Sequence, residues 1–271
     1  MKINVSCVQM KPVLMDIQAN VRKMEKFIKE IAEENKNVNL IIFPELITSG
    51  YECDEGFYNL AERIYDGFSI EKISKLAKKY KVSIIYGFPE RDEKRDNVIY
   101  NSSVYIDNKG VVLGTYRKVH LFDSEKKYFT PGSEFPIFNT DFGKVAMMIC
   151  WDTAFPEVAR IYALNGAELI AISTNWEKPY SEDWDLVTSA RAFDNCIYIA
   201  AANRIGQDKK LSFFGHSRIV SPLGKPIKEL NEEVEGVISS QLDLETAKKL
   251  KRDYYTLFED RRPELYKRIL E

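Results

Sequence analysis

Five short apolar runs constrain this chain more than any other feature. They are NLIIF (39–43), VSIIYGF (82–88), KVAMMIC (144–150), ELIAIS (168–173) and CIYIAAAN (196–203). A run of that length without polar alternation reads as a strand buried on both faces, which requires layers packed on either side. Amphipathic stretches separate the runs. Residues 17–34 (IQANVRKMEKFIKEIAEE) place Val21, Met24, Phe27, Ile28 and Ile31 at helical spacing. Residues 69–80, 156–165 and 182–194 read as further helices, that over 156–165 stopping at Gly166. Residues 3–10 alternate as a strand. The runs 98–107 and 111–119 flank Asn108, Lys109 and Gly110 as a hairpin. Two more strands, 213–220 and 236–242, follow on either side of a turn at Pro222-Leu223-Gly224, before a charged helix and tail.

With no Gly/Ser linker or composition break, residues 1–271 read as one α/β domain. The mixture of parallel-type and hairpin strands fits two mixed sheets with helices outside. The net charge of -2 excludes nucleic acid as a main partner. Lys248, Lys249, Lys251 and Arg252 read as the solvated face of a helix. No apolar run approaches the ~18 residues that span a bilayer, and MKINVSCVQM is strand-like rather than a signal peptide. The four cysteines form no CxxC pair and there are only two histidines, His120 and His216, so a zinc site is not expected. The expected setting is the cytoplasm, with reduced thiols.

Chemistry in α/β sheets gathers at the carboxyl ends of strands. Glu45 follows NLIIF and Pro44, Lys118 lies near the end of 111–119, and Cys150 closes KVAMMIC just before a helix. A thiol there could feel the helix dipole, and a nearby ammonium would lower its pKa further. Each residue has a plainer explanation when taken alone. A Cys after a buried strand is usually a small core hydrophobe, a Glu after Pro a cap, and a Lys in a hairpin a surface residue. Cys7 and Cys196 read as core and Cys53 as a loop thiol. Cys150 paired with His120, two residues from Lys118, is a geometrically conceivable papain-like dyad.

The segments IIFPEL (41–46), YRKVHLF (116–122) and ICWDTAFPEVAR (149–160) change that balance together. With ALNGAELI, SARAFDNCIYIAAANRIG and FGHSRIVSPLGK they run in order along nearly the whole chain. In these segments the sequence resembles the nitrilase, or carbon-nitrogen hydrolase, superfamily. The resemblance implies a four-layer α-β-β-α sandwich and a Glu-Lys-Cys triad, falling here on Glu45, Lys118 and Cys150. A second glutamate that often accompanies the triad matches Glu125, with Asp123 nearby. In that scheme Cys150 attacks the carbon, Glu45 moves protons, and Lys118 with the Trp151 N–H stabilises the oxyanion. Glu125 orients substrate or water, and no cofactor or metal takes part.

The same reading makes His120 and His216 structural. Asp152 and Glu157 anchor the nucleophile turn, with Arg160 and Arg191 as their ion-pair partners. Tyr51, Asn175 and Trp176 are pocket candidates beside Trp151. Cys-Trp-Asp is similar to some amidases, carbamoylputrescine amidases included, where true nitrilases carry Cys-Trp-Glu. The TAFPE that follows departs from the carbamoylputrescine pattern, so the resemblance implies a small aliphatic or ω-amide and release of ammonia, ahead of an N-carbamoyl amine and then a nitrile. From a different class, a subunit that binds or assembles without catalysis would also carry this pattern. Relatives assemble, which implies a homodimer or larger homo-oligomer. Tyr254, Tyr255, Leu257 and Phe258 of the tail 253–271 are expected at its interface.

Overall fold

The computed structural model describes residues 1–253 and 255–270. Its first half runs β1 (Lys2–Gln9), α1 (Ile17–Glu34), β2 (Val38–Ile42), α2 (Phe57–Leu60), α3 (Phe68–Tyr80), β3 (Ser83–Arg91), β4 (Ile99–Ile106) and β5 (Val112–Arg117). The second half runs β6 (Ile137–Thr140), β7 (Gly143–Ile149), α4 (Pro156–Leu164), β8 (Leu169–Thr174), α5 (Ser181–Asn195) and β9 (Tyr198–Asn203). It ends with β10 (Ile205–Gln207), β11 (Ser212–Phe214), β12 (Ser217–Val220), β13 (Pro226–Leu230), β14 (Gly236–Asp243) and α6 (Leu244–Asp253).

Two six-stranded sheets result, ordered β14-β1-β2-β3-β4-β5 and β13-β12-β9-β8-β7-β6, with β10-β11 as a separate ribbon. Each has a parallel centre, β1-β2-β3 in one and β7-β8-β9 in the other, and antiparallel flanks. The sheets meet face to face, with Val5, Leu40, Ile42 and Ile85 packed in one core with Met147, Ile170, Ile172 and Ala200. Helices α1 and α3 cover the outside of the first sheet through Met24, Ile28, Ile73 and Leu76. Helices α4 and α5 cover the second through Val158, Tyr162, Trp184 and Ala192. This is the expected α-β-β-α sandwich.

Local chemistry explains the boundaries. The Asp16 carboxylate accepts from the Ala19 N–H at 2.9 Å and starts α1. Pro156 opens α4, where a missing N–H costs nothing. Strands β6, β10 and β13 went unforeseen, and the expected strand 213–220 divides into β11 and β12; β13 begins at a proline on a sheet edge with its first three residues exposed. Cys196 lies outside any strand, at the left-handed end of α5 before β9, though it is buried as expected. In the tail, Tyr255 packs edge-on against Phe193 and Phe258 lies over Arg160 and Lys251, all within the chain itself. Among the described tail residues the exposed large apolar ones are Leu265, Tyr266 and Ile269. Tyr254 lies outside the described residues.

Candidate active site

Glu45 is placed by a backbone path that leaves no room for a side chain. After β2 the chain keeps pairing with β3, through Phe43 N–H to Ile85 O (2.8 Å), Gly87 N–H to Pro44 O (3.0 Å) and Ile47 N–H to Gly87 O (2.9 Å). A Cβ on Gly87 would sit 2.5 Å from Glu45 Cα, so only glycine admits this crossing. The Glu45 carboxylate is fully buried. Its Oε1 accepts from Lys118 Nζ and from Asn101 Nδ2, each at 2.7 Å, and its Oε2 from the Asn175 N–H at 2.8 Å. Lys118 follows the end of β5, and its N–H is held by Asn101 O at 2.8 Å. One asparagine of β4 thus fixes both partners.

Lys118 Nζ also donates to Glu125 Oε1 at 2.6 Å. Glu125 stands in a single 3₁₀ turn, Asp123–Lys127, that binds its own entrance: Phe122 N–H donates to Glu125 Oε2 at 3.0 Å. Tyr51 OH donates to Glu125 Oε1 at 2.8 Å. Burial opposes a charge on Lys118, but Glu125 and Glu45 outweigh it and hold the ammonium above its ordinary pKa. Burial, with Glu45 beside it, raises the Glu125 carboxyl against the pull of Lys118.

Cys150 begins a 3₁₀ turn (Cys150–Ala154) at the end of β7 with φ 42°. The left-handed region costs a non-glycine residue about 1–2 kcal/mol. The turn is anchored by Asp152, as expected. Its Oδ2 accepts from Tyr116 OH (2.8 Å) and the Ile149 N–H (3.2 Å), and its Oδ1 accepts from the His120 N–H (2.9 Å). His120 Nδ1 lies 2.9 Å from the same oxygen, and its ring stacks on Phe155 at 3.7 Å. The strand stops at Arg117, before His120, so the alternation argued for a Cys-His dyad does not apply. Arg191 holds the turn through the Thr153 carbonyl (3.0 Å) and pairs with Asp194. Arg160 likewise reaches Asp194, through its carbonyl, while Glu157 is exposed, so the expected pairings with Asp152 and Glu157 are replaced.

The expectation of a thiol acidified by a helix dipole is also corrected. Helix α4 begins only at Pro156. Burial, then Glu45, push the Cys150 pKa well up, and Lys118 only partly offsets them. The sulfur therefore rests as a thiol. Cys53 lies in a loop, as expected, with its thiol buried and donating to Ser49 O at 3.3 Å. His216 bridges Asp185 (3.2 Å) and Glu229 (3.1 Å), a structural position.

A cavity of about 440 Å³ opens over Cys150 and is lined by Tyr51, Trp151, Asn175 and Trp176 among others. All four substrate-contact candidates thus line the same cavity as the sulfur. Sequence reasoning did not single out Gly87, Asn101 or Glu177, which also lines the cavity. A glycine inside a buried strand and a lone amide in β4 were the available signals for the first two.

Two facing mixed sheets, with an acid, an ammonium and a thiol converging at their strand ends, define an α-β-β-α hydrolase architecture. The sequence pattern of the carbon-nitrogen hydrolases matches residues 4–252, and the chain belongs to that family. A probable nitrilase of Schizosaccharomyces pombe is 61% identical over all of this chain and 99% of its own. An N-carbamoylputrescine amidase of Arabidopsis thaliana is 35% identical over 94% of this chain and 91% of its own. The crystal structure of a carbon-nitrogen hydrolase from Helicobacter pylori superposes with a TM-score of 0.92 at 26% identity, covering 100% of this chain and 98% of that one. No helix among the described residues is long and apolar enough to cross a membrane.

Proposed function

We propose that this protein hydrolyses the C–N bond of a small amide through a thioester on Cys150. The observation that carries the reading is the buried Glu45–Lys118–Glu125 chain beside a cavity lined by Cys150. Because the thiol rests protonated, attack and deprotonation go together. Cys150 Sγ bonds to the carbonyl carbon as Glu45 takes the thiol proton. Lys118 Nζ and the Trp151 N–H stabilise the oxyanion. Glu45 then returns the proton to the leaving nitrogen, the C–N bond breaks, and ammonia departs. Water next gives a proton to Glu45 and its oxygen attacks the thioester. The C–S bond breaks, the sulfur recovers its proton, and a carboxylic acid leaves. Glu125 positions Lys118 throughout. Protons balance with these residues and water alone.

A second reading is supported by the N-carbamoylputrescine amidase likeness: the same steps on the carbonyl of a urea. The probable nitrilase relative keeps nitriles in the test. Ammonia release should be measured with aliphatic amides, ω-amides of dicarboxylates, carbamoylated amines and nitriles, with Cys150→Ala as the blank. Turnover of an amide by the wild type alone is expected. Ammonia from Cys150→Ala at the wild-type rate would remove the proposal, and release from none of the substrates would favour a non-catalytic subunit. The proposal includes a homo-oligomer, supported by the exposed Leu265, Tyr266 and Ile269. Truncation after Arg252 should lower the sedimentation coefficient to that of a smaller assembly, and an unchanged oligomer would count against it.

A further inference from the structure

The lining of the cavity is chemically lopsided. Besides Cys150 it carries the aromatic side chains of Phe122, Trp151, Trp176 and Tyr180 and two carboxylates, Glu177 and Asp183. No Lys, Arg or His lines it among the described residues. Among the described residues neither carboxylate has an ion pair or a side-chain hydrogen bond, whereas the neighbouring Lys178 is committed to Glu233 at 2.5 Å. Burial, then Asp123 and Glu52, push Glu177 above its ordinary pKa, so an anion placed there would meet further repulsion. An independent observation points to a ligand in the same space. Asn175 is 4% exposed and lines the cavity, yet its side-chain Nδ2 and Oδ1 are both buried without a partner. Leaving a buried carboxamide unbonded costs about 1–3 kcal/mol per group, a cost removed when a substrate supplies both a donor and an acceptor.

We propose that the substrate is an amide or ureide with a short apolar stem and a cationic, ammonium-bearing far end. Its reacting carboxamide meets Asn175, its stem lies along the aromatic walls, and its ammonium is held by Glu177 and Asp183. Cation–π attraction from the same rings adds to the selection. The inference rests on the amidase reading above. It extends that reading by excluding substrates with a carboxylate tail, which would need a cationic side chain that the cavity lacks.

The test is a matched series: 5-aminopentanamide, pentanamide and glutaramate, with (4-aminobutyl)urea and butylurea as the ureide arm. The expected kcat/KM order is cation, neutral, anion, with roughly 30-fold or more between the extremes. In Glu177→Lys the cation-to-neutral ratio should fall roughly tenfold. Glutaramate hydrolysed as well as 5-aminopentanamide, or a ratio unmoved by Glu177→Lys, would overturn the inference. Which arm turns over faster identifies the carbonyl as an amide or a urea. Titration calorimetry of the same five compounds on the Cys150→Ala protein separates this inference from the hydrolase reading. Tighter binding of the cationic members upholds the inference even if no compound is turned over, and equal binding of all members defeats it.

Discussion

Two buried charge clusters share Tyr51 and differ in how completely their charges are matched. Arg204 and Asp208 are both almost wholly buried and make a two-pronged pair at 2.9 and 2.7 Å. Asp208 also accepts the Tyr51 and Glu52 N–H groups at 2.8 and 3.2 Å, and the guanidinium lies 4.2 Å over the Phe213 ring. One cation meets one anion there. Although burial opposes ionisation, Arg204 and the two N–H donors hold Asp208 below its ordinary pKa. At the other end of Tyr51 the hydroxyl reaches Glu125, where two carboxyl groups compete for one ammonium beside a thiol. Asn175 adjoins them with both side-chain atoms unbonded. The saturated cluster holds a loop in place. The unsaturated one retains capacity to move protons and bind ligand.

The comparison predicts opposite consequences for substitutions on its two sides. Lys118→Met should lower kcat/KM on the best amide by roughly 10³-fold or more, because the oxyanion and both carboxylates lose their cation. Circular dichroism on the same sample checks that the fold persists. Activity within tenfold of wild type would break the distinction. Asp208→Asn should instead cost about 3 kcal/mol of stability, since it leaves Arg204 charged and buried. That is a Tm drop of roughly 6–12 °C by calorimetry, with kcat/KM affected far less than in Lys118→Met. Gly87→Ala tests the path between fold and site. Its Cβ would displace Glu45, and misplacement of about 1 Å costs roughly 10²-fold in rate.

The smallest effect concerns pH. The Glu125 pKa is raised from 4.5 to about 7 on folding. Between those values the folded protein keeps a proton that the unfolded chain has released, so this group's contribution is full below the lower value and is lost as pH rises through the upper one. In Glu125→Gln that loss is absent. The Tm difference, variant minus wild type, should therefore climb between pH 4.5 and 7. A flat difference would show that Lys118 holds Glu125 ionised throughout.

Much of this was legible in sequence because the large elements carry strong periodicity. The five apolar runs became the central strands β2, β3, β7, β8 and β9, and α1 took the bounds its spacing suggested. Glu45, Lys118, Cys150 and Asn175 were placed by the rule that strand ends gather chemistry, while grouping the first three into one site with Glu125 needed the family resemblance. What escaped was set by three-dimensional context. Edge strand β13 has too few residues and too much exposure to show a pattern. The state of the Cys150 thiol depends first on burial and then on two carboxylates brought close from elsewhere in the chain, which local helix-dipole reasoning does not see. The partners of Arg160 and Arg191 were misassigned because both reach Asp194 of α5, and Arg191 meets the nucleophile turn at the Thr153 carbonyl rather than at a carboxylate.

The most direct test of the Cys150–Glu45 pairing uses iodoacetamide, itself a small amide, with peptide mapping over time. Cys7, Cys53 and Cys196 are buried away from the cavity and Cys150 lines it. Carboxamidomethylation is therefore expected first at Cys150, in proportion to lost activity, and at least roughly tenfold slower in Glu45→Gln, which lacks the base. Labelling of another cysteine first, or an equal Cys150 rate in Glu45→Gln, would contradict the account.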